Sequence, residues 1–133
     1  MCSSDLSDEK TRRLAGDVVD RYVANVKLVE TLARGYGFRP LFFWQPTIFN
    51  KSHLTAVERD EARKFAWTEP AFRMVYERVS ESSELKSNPD FHDLSRIFDD
   101  ETALVFIDYC HTTEAASARI ADKMAAAVLS LQE

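Results

Sequence analysis

The chain has 133 residues, 45% of them apolar and 29% charged, with a formal net charge of −5. That length suits one domain able to remove roughly two-thirds of its unfolded surface from water. Scattered basic residues in an acidic chain exclude a phosphate-tracking surface, so no nucleic-acid partner is expected. With no apolar run near the roughly 18 residues of a span, no membrane crossing is expected either.

The opening "MCSSDLSDEKTRR" lacks the apolar stretch of a signal peptide. Residues 1–7 read as a polar lead-in and 8–133 as a single α/β domain. The two cysteines, Cys2 and Cys110, lie too far apart for a CxxC site and give no disulfide framework. A reducing compartment, and hence the cytoplasm, is the default expectation.

From about residue 8 to 34, Leu14, Val18, Tyr22, Val26, Val29 and Ala33 step by three and four, which predicts a helix with one apolar stripe. Gly35 and Gly37 in "RGYGF" suit its C-cap. The run Leu41–Trp44 is apolar without alternation, as in a parallel strand covered on both faces, and Pro46 ends it. Thr55 and Glu58 form a T-x-x-E capping box for a charged helix through about Phe65. Pro70 suits the first turn of the next helix, carrying Phe72, Val75, Tyr76 and Val79.

The segment "SSELKSNPD" at 82–90 reads as a break, and "FHDLSRIF" at 91–98 as a short helix or turn with Asp93 as its N-cap. "ALVFI" at 103–107 predicts the second strand, and the last helix runs from about 114 to 131 with Ile120, Ala121, Met124, Val128 and Leu131 at helical spacing. Helix, strand, helices, strand, helix is an α/β order with parallel strands and right-handed crossovers.

Asp108 and His111 fall at the junction between that second strand and the last helix, where ligand sites form in open parallel sheets. A carboxylate that accepts the Nδ1 proton of an imidazole fixes its tautomer and frees Nε2 to take a proton. The positive end of the following helix disfavours a charged imidazole, which Asp108 would offset. Gln45, at the end of the first strand, is expected on the same side of the sheet. It either lines a cleft or satisfies loop backbone groups.

"VFIDYCHTTEAASARIADKMAAAV" resembles the last conserved block of the SGNH, or GDSL-type, hydrolases: apolar strand, D-x-x-H, short turn and helix. Upstream, "YVANVKLVETLARGYGFRPLFFWQPTIFNKSHLTAVE" is similar to the helix, glycine turn, strand and QP loop of some members. "FHDLSRIFDD" is similar to their D-L-s-x-x-F segment. The resemblance covers most of the chain from about residue 17. It implies a partial flavodoxin-like, three-layer fold with few parallel strands flanked by helices. It also implies that Asp108 and His111 are the acid and base of a Ser-His-Asp triad acting on a small-molecule, glycan or lipid ester.

The family's G-D-S nucleophile and its G-x-N-D oxyanion motif are absent from this sequence. None of its glycines, Gly16, Gly35 and Gly37, adjoins a serine, and Ala116 and Ser117 stand where many members have Gly-Asn. Ser52 remains as a candidate nucleophile; Ser3, Ser4, Ser80, Ser82 and Ser83 fall in the tail or at a helix end. The chain therefore reads as the C-terminal part of an ester hydrolase that carries the acid and base but not the serine. The alternative is a non-catalytic module that binds a partner.

Two strands fall short of a usual sheet, so homo-oligomerisation through an open edge at "LFFW" is a further expectation. His53, His92, Cys110 and His111 lack HxH, HExxH or CxxC spacing, so neither metal nor cofactor is expected. Cys110 beside His111 could be read as a nucleophile, but a small buried cysteine is the commoner role.

Overall fold

Helical periodicity in the first quarter of the chain produces α1, Ser3–Tyr36, in a computed structural model that describes residues 3–132. There follow β1 (Phe42–Trp44), a 3-10 turn (Ile48–Asn50), α2 (Ala56–Lys64), α3 (Glu69–Glu81) and α4 (Ser83–Lys86). β2 (Phe91–Asp93), α5 (Glu114–Leu129) and a closing 3-10 turn (Ser130–Gln132) complete the order. Over the described residues the protein is α/β but mostly helical, with one two-stranded parallel sheet. Among the described residues, no helix is long and apolar enough to cross a membrane.

The fold comprises two compact units that the chain enters by turns. One comprises 1–42 and 68–91, the other 43–67 and 92–133. α1 begins at Ser3, within the polar opening of the chain.

In the first unit α1 packs against α3. Its buried face is Ala15, Gly16, Val19, Val23, Val26 and Ala33, one position away from the expected stripe at its start, so that Leu14 and Val18 are exposed. Side-chain size accounts for the change. A Cβ on Gly16 would lie 3.4 Å from the Arg78 guanidinium, so Gly16 admits a long side chain of α3 that a larger residue there would crowd. Val79 of α3 and Leu85 of α4 complete this core.

Gly37 ends α1 at φ 73°, donating its amide to Ala33 O at 2.8 Å, which is the left-handed cap that "RGYGF" predicts. Pro70 sits in the first turn of α3, and Ser82 caps α4 by accepting from the Leu85 amide.

The second unit holds Ile48, Phe98, Val105, Phe106 and Ala116 at its centre, with Leu54, Ile97, Tyr109 and Ile120 packed around them. Thr55 and Glu58 form the expected reciprocal cap of α2. Two expectations are corrected here. The partner of β1 is Phe91–Asp93, read from sequence as helix or turn; the Phe42 amide donates to Asp90 O (2.8 Å) and the Leu94 amide to Trp44 O (2.9 Å). Asp93 is no helix cap, but its Oδ1 accepts from the Ser95 amide at 2.8 Å and turns the chain out of the strand.

"ALVFI" is not a strand, because a side chain takes its amides. Glu58 Oε1 accepts from Val105 N (2.9 Å) and Phe106 N (3.1 Å), and Lys51 Nζ donates to Ala103 O (2.5 Å). The hydrogen bonds that a ladder would supply go instead to a buried ion pair. α5 differs from expectation as well. Ala116 and Ile120 reach the core, whereas Ala121, Met124 and Val128 are exposed.

Candidate functional site

Phe106 and Thr112 form an isolated antiparallel bridge. Around it the Ile107 amide donates to His111 O (2.9 Å) and the Thr113 amide to Val105 O (2.7 Å), closing a tight loop over 107–111. Ile48 N donates to Tyr109 O at 2.9 Å, and the Tyr109 ring packs on Phe65 with centroids 4.8 Å apart. The loop tip is thus tied to two other segments of its unit. Thr113 then starts α5, its hydroxyl accepting from the Ala116 amide.

Inside this loop Asp108 makes three hydrogen bonds. Its Oδ1 accepts from the amides of Cys110 (2.8 Å) and His111 (2.7 Å), and its Oδ2 lies 2.7 Å from His111 Nδ1. The three-residue separation closes because an aspartate naturally bonds amides two and three positions on, which turns the backbone and carries the ring back to the carboxylate. Burial pushes the Asp108 carboxyl up, but the two amides and the imidazole outweigh it and hold it at about 2. It is therefore ionised near neutral pH, and the proton between the two groups resides on Nδ1. The His111 side chain is 73% exposed, leaving Nε2 accessible.

Cys110 Sγ lies 3.7 Å from His111 Nδ1. Burial, with the nearby Asp108 charge, raises its thiol above the usual range, so it is held protonated and is a poor nucleophile. Asp108, Cys110 and His111 do present donor atoms within 4.8 Å of one another, a set that could converge on a cation. Both Asp108 oxygens are already engaged, however, so a metal there would have to displace the imidazole contact. His92 stacks on Phe43 with centroids 5.1 Å apart, taken up by the strand pair.

Gln45 is exposed just after β1. Its expected relation to Asp108 rested on both following strands of one sheet, and "ALVFI" is not in that sheet. Ser52 donates to Asp99, Ser80 to the carbonyl of Glu77, and Ser82 accepts from the Leu85 amide, so each of these hydroxyls already has a partner of its own. Ser3 and Ser4 have side chains outside the described residues.

Sequence reasoning missed three things around the loop. Lys51 and Glu58 are fully buried and hold the segment leading into it. Thr112 Oγ1 and Ser117 Oγ lie 2.8 Å apart beside the start of α5, an i, i+5 pair across a helix cap with no recognisable pattern. The anchor from Ile48 to Tyr109 is a backbone bond and carries no side-chain signal. Comparison with protein-family models, curated proteins and solved structures gave no match.

Proposed function

We propose that this chain supplies the acid and base of an SGNH-like ester hydrolase, as part of a flavodoxin-like, three-layer fold. The observation that carries the reading is the 2.7 Å contact between Asp108 Oδ2 and His111 Nδ1 at an exposed loop. In this role Nε2 of His111 takes the proton of an attacking hydroxyl as its oxygen adds to the acyl carbon. The same proton passes to the alkoxide oxygen as the ester C–O bond breaks. In the second half Nε2 takes a proton from water, which attacks the acyl-enzyme, and returns it to the released hydroxyl. Asp108 stays ionised throughout and steadies the imidazolium.

The hydroxyl itself comes from a serine that this sequence does not place in a G-D-S setting, and no oxyanion motif accompanies it. The substrate class is a small-molecule, glycan or lipid ester. The isolated chain should accelerate hydrolysis of p-nitrophenyl acetate only at the modest level of its exposed imidazoles, His111 and His53, and slow on His111→Ala to the rate that His53 sustains. It should not be labelled by a serine-directed fluorophosphonate. Equal rates for the parent and His111→Ala would sink the acid–base role, and stoichiometric labelling would place the nucleophile within this chain.

A second reading, a non-catalytic interaction module, is favoured by the exposed apolar positions Met124, Val128 and Leu129 of α5. Full retention of partner binding in Asp108→Ala, with no ester hydrolysis in any assembly containing the parent chain, would select it.

A further inference from the structure

α1 carries two apolar faces, and its own unit uses only one. Ala15, Val19, Val23, Val26 and Ala33 are buried. On the other side Leu14, Val18, Arg21, Asn25, Leu28 and Leu32 follow one another at spacings of four, three, four, three and four. That is the 3.5-residue repeat of a helix–helix seam. The four apolar members are 56%, 40%, 57% and 45% exposed, and Arg21 and Asn25 are exposed between them. The stripe spans about 27 Å of helix at 1.5 Å per residue.

The order of side chains along this stripe names its occupant. Laid against an identical helix running the opposite way, Leu14 meets Leu32, Val18 meets Leu28, and Arg21 meets Asn25, each pairing occurring twice about a two-fold axis beside residue 23. Every apolar residue finds an apolar one. The one cation finds an amide whose oxygen accepts its hydrogen bond. In-register parallel pairing would instead stack Arg21 on itself in a desolvated seam, where like charges cost heavily.

The flanks agree with the antiparallel arrangement. Ala24 falls opposite itself, allowing close approach. Asp17 falls opposite Thr31, whose hydroxyl already accepts from Arg34 at 3.1 Å, so a carboxylate meets a cation on each side. α1 sets six Lys and Arg against six Asp and Glu and carries no net charge in a chain of −5, so two copies can meet along it without repulsion.

We propose that α1 is the interface of an antiparallel, two-fold homodimer, with Leu14, Val18, Leu28 and Leu32 as its apolar seam and Arg21–Asn25 as the polar layer that fixes register. This inference is independent of the hydrolase reading. The experiment is sedimentation equilibrium of the full chain over a concentration series. The parent should reach twice the chain mass, and Leu28→Glu, at an exposed position, should sediment at the chain mass with unchanged far-ultraviolet circular dichroism.

Asn25→Asp sets a carboxylate against Arg21 of the second copy twice per dimer and should tighten the dissociation constant about tenfold. Asn25→Lys should loosen it by about as much. A chain that stays monomeric at every concentration, a dimer indifferent to Leu28→Glu, or one loosened by Asn25→Asp as parallel pairing requires, would each overturn the proposal. Monomeric behaviour would mean that another segment or a different protein covers the stripe.

Discussion

Lys51 and Glu58 form a fully buried ion pair whose atoms also close the backbone of a third segment. Lys51 Nζ donates to both carboxylate oxygens (2.9 and 2.7 Å) and to Ala103 O (2.5 Å), while Glu58 accepts the amides of Thr55, Val105 and Phe106. The pair is a bracket between α2 and the chain entering the dyad loop. Removing one partner leaves the other charge without compensation in the core. Glu58→Gln should therefore destabilise the second unit by about 3–5 kcal/mol, read as a lower urea midpoint. Replacing both by apolar residues, often neutral for a buried pair, should still cost about 2 kcal/mol or more here, because two buried amides lose their acceptor.

Acid should loosen the same unit. Burial raises the Glu58 carboxyl, yet Lys51 and three backbone amides outweigh it and bring it to about 2, and Asp108 is held at about 2 by the balance described above. A carboxyl depressed on folding takes its proton first in the unfolded chain. Its contribution is complete above the unfolded value, 4.5 for Glu58, and drains away as pH falls from there toward about 2. Asp108 is one-third exposed and contributes less through the same window. Urea midpoints between about pH 6 and pH 3 should fall with acid, and Glu58→Gln should flatten that dependence.

The two glycines at the end of α1 should respond in opposite directions. Gly35 is helical with open space around its Cβ direction, so Gly35→Ala should stabilise by about 0.5–1 kcal/mol. Gly37 has φ 73°, a conformation that strains any L side chain, so Gly37→Ala should destabilise by about 1 kcal/mol despite equally open space. Thermal unfolding of the two variants checks both signs at once.

Local chemistry was legible in the sequence wherever the residues that matter are neighbours. The cap at Thr55 and Glu58, Pro70 opening α3, Gly37 closing α1 and the approach of Asp108 to His111 are all written within a few positions. What escaped depended on distant partners. "ALVFI" has the composition of a strand, and only a carboxylate 47 residues upstream takes the amides that would make it one. The buried stripe of α1 lies one residue from the apolar repeat at its start because Gly16, which carries little hydrophobic signal, marks close packing against Arg78. Phe91–Asp93 became the second strand through pairing with β1, which three residues cannot announce.

The dyad loop allows its chemistry to be tested without any substrate. Asp108 orients His111 through Oδ2 and shapes the turn through Oδ1. Asp108→Asn keeps an oxygen able to accept the Cys110 and His111 amides, so the loop should persist. The side-chain amide that replaces Oδ2, though, donates where the carboxylate accepted. Nδ1 must then become the acceptor, and the proton moves to Nε2. Nitrogen-15 imidazole spectra near neutral pH should show the Nδ1–H tautomer in the parent and the Nε2–H tautomer in Asp108→Asn. Because the freed lone pair is lost from Nε2, imidazole-dependent turnover of p-nitrophenyl acetate should fall to the level of His111→Ala. A parent spectrum already dominated by Nε2–H would mean that the carboxylate does not set the tautomer, and the acid–base reading would lose the contact on which it rests.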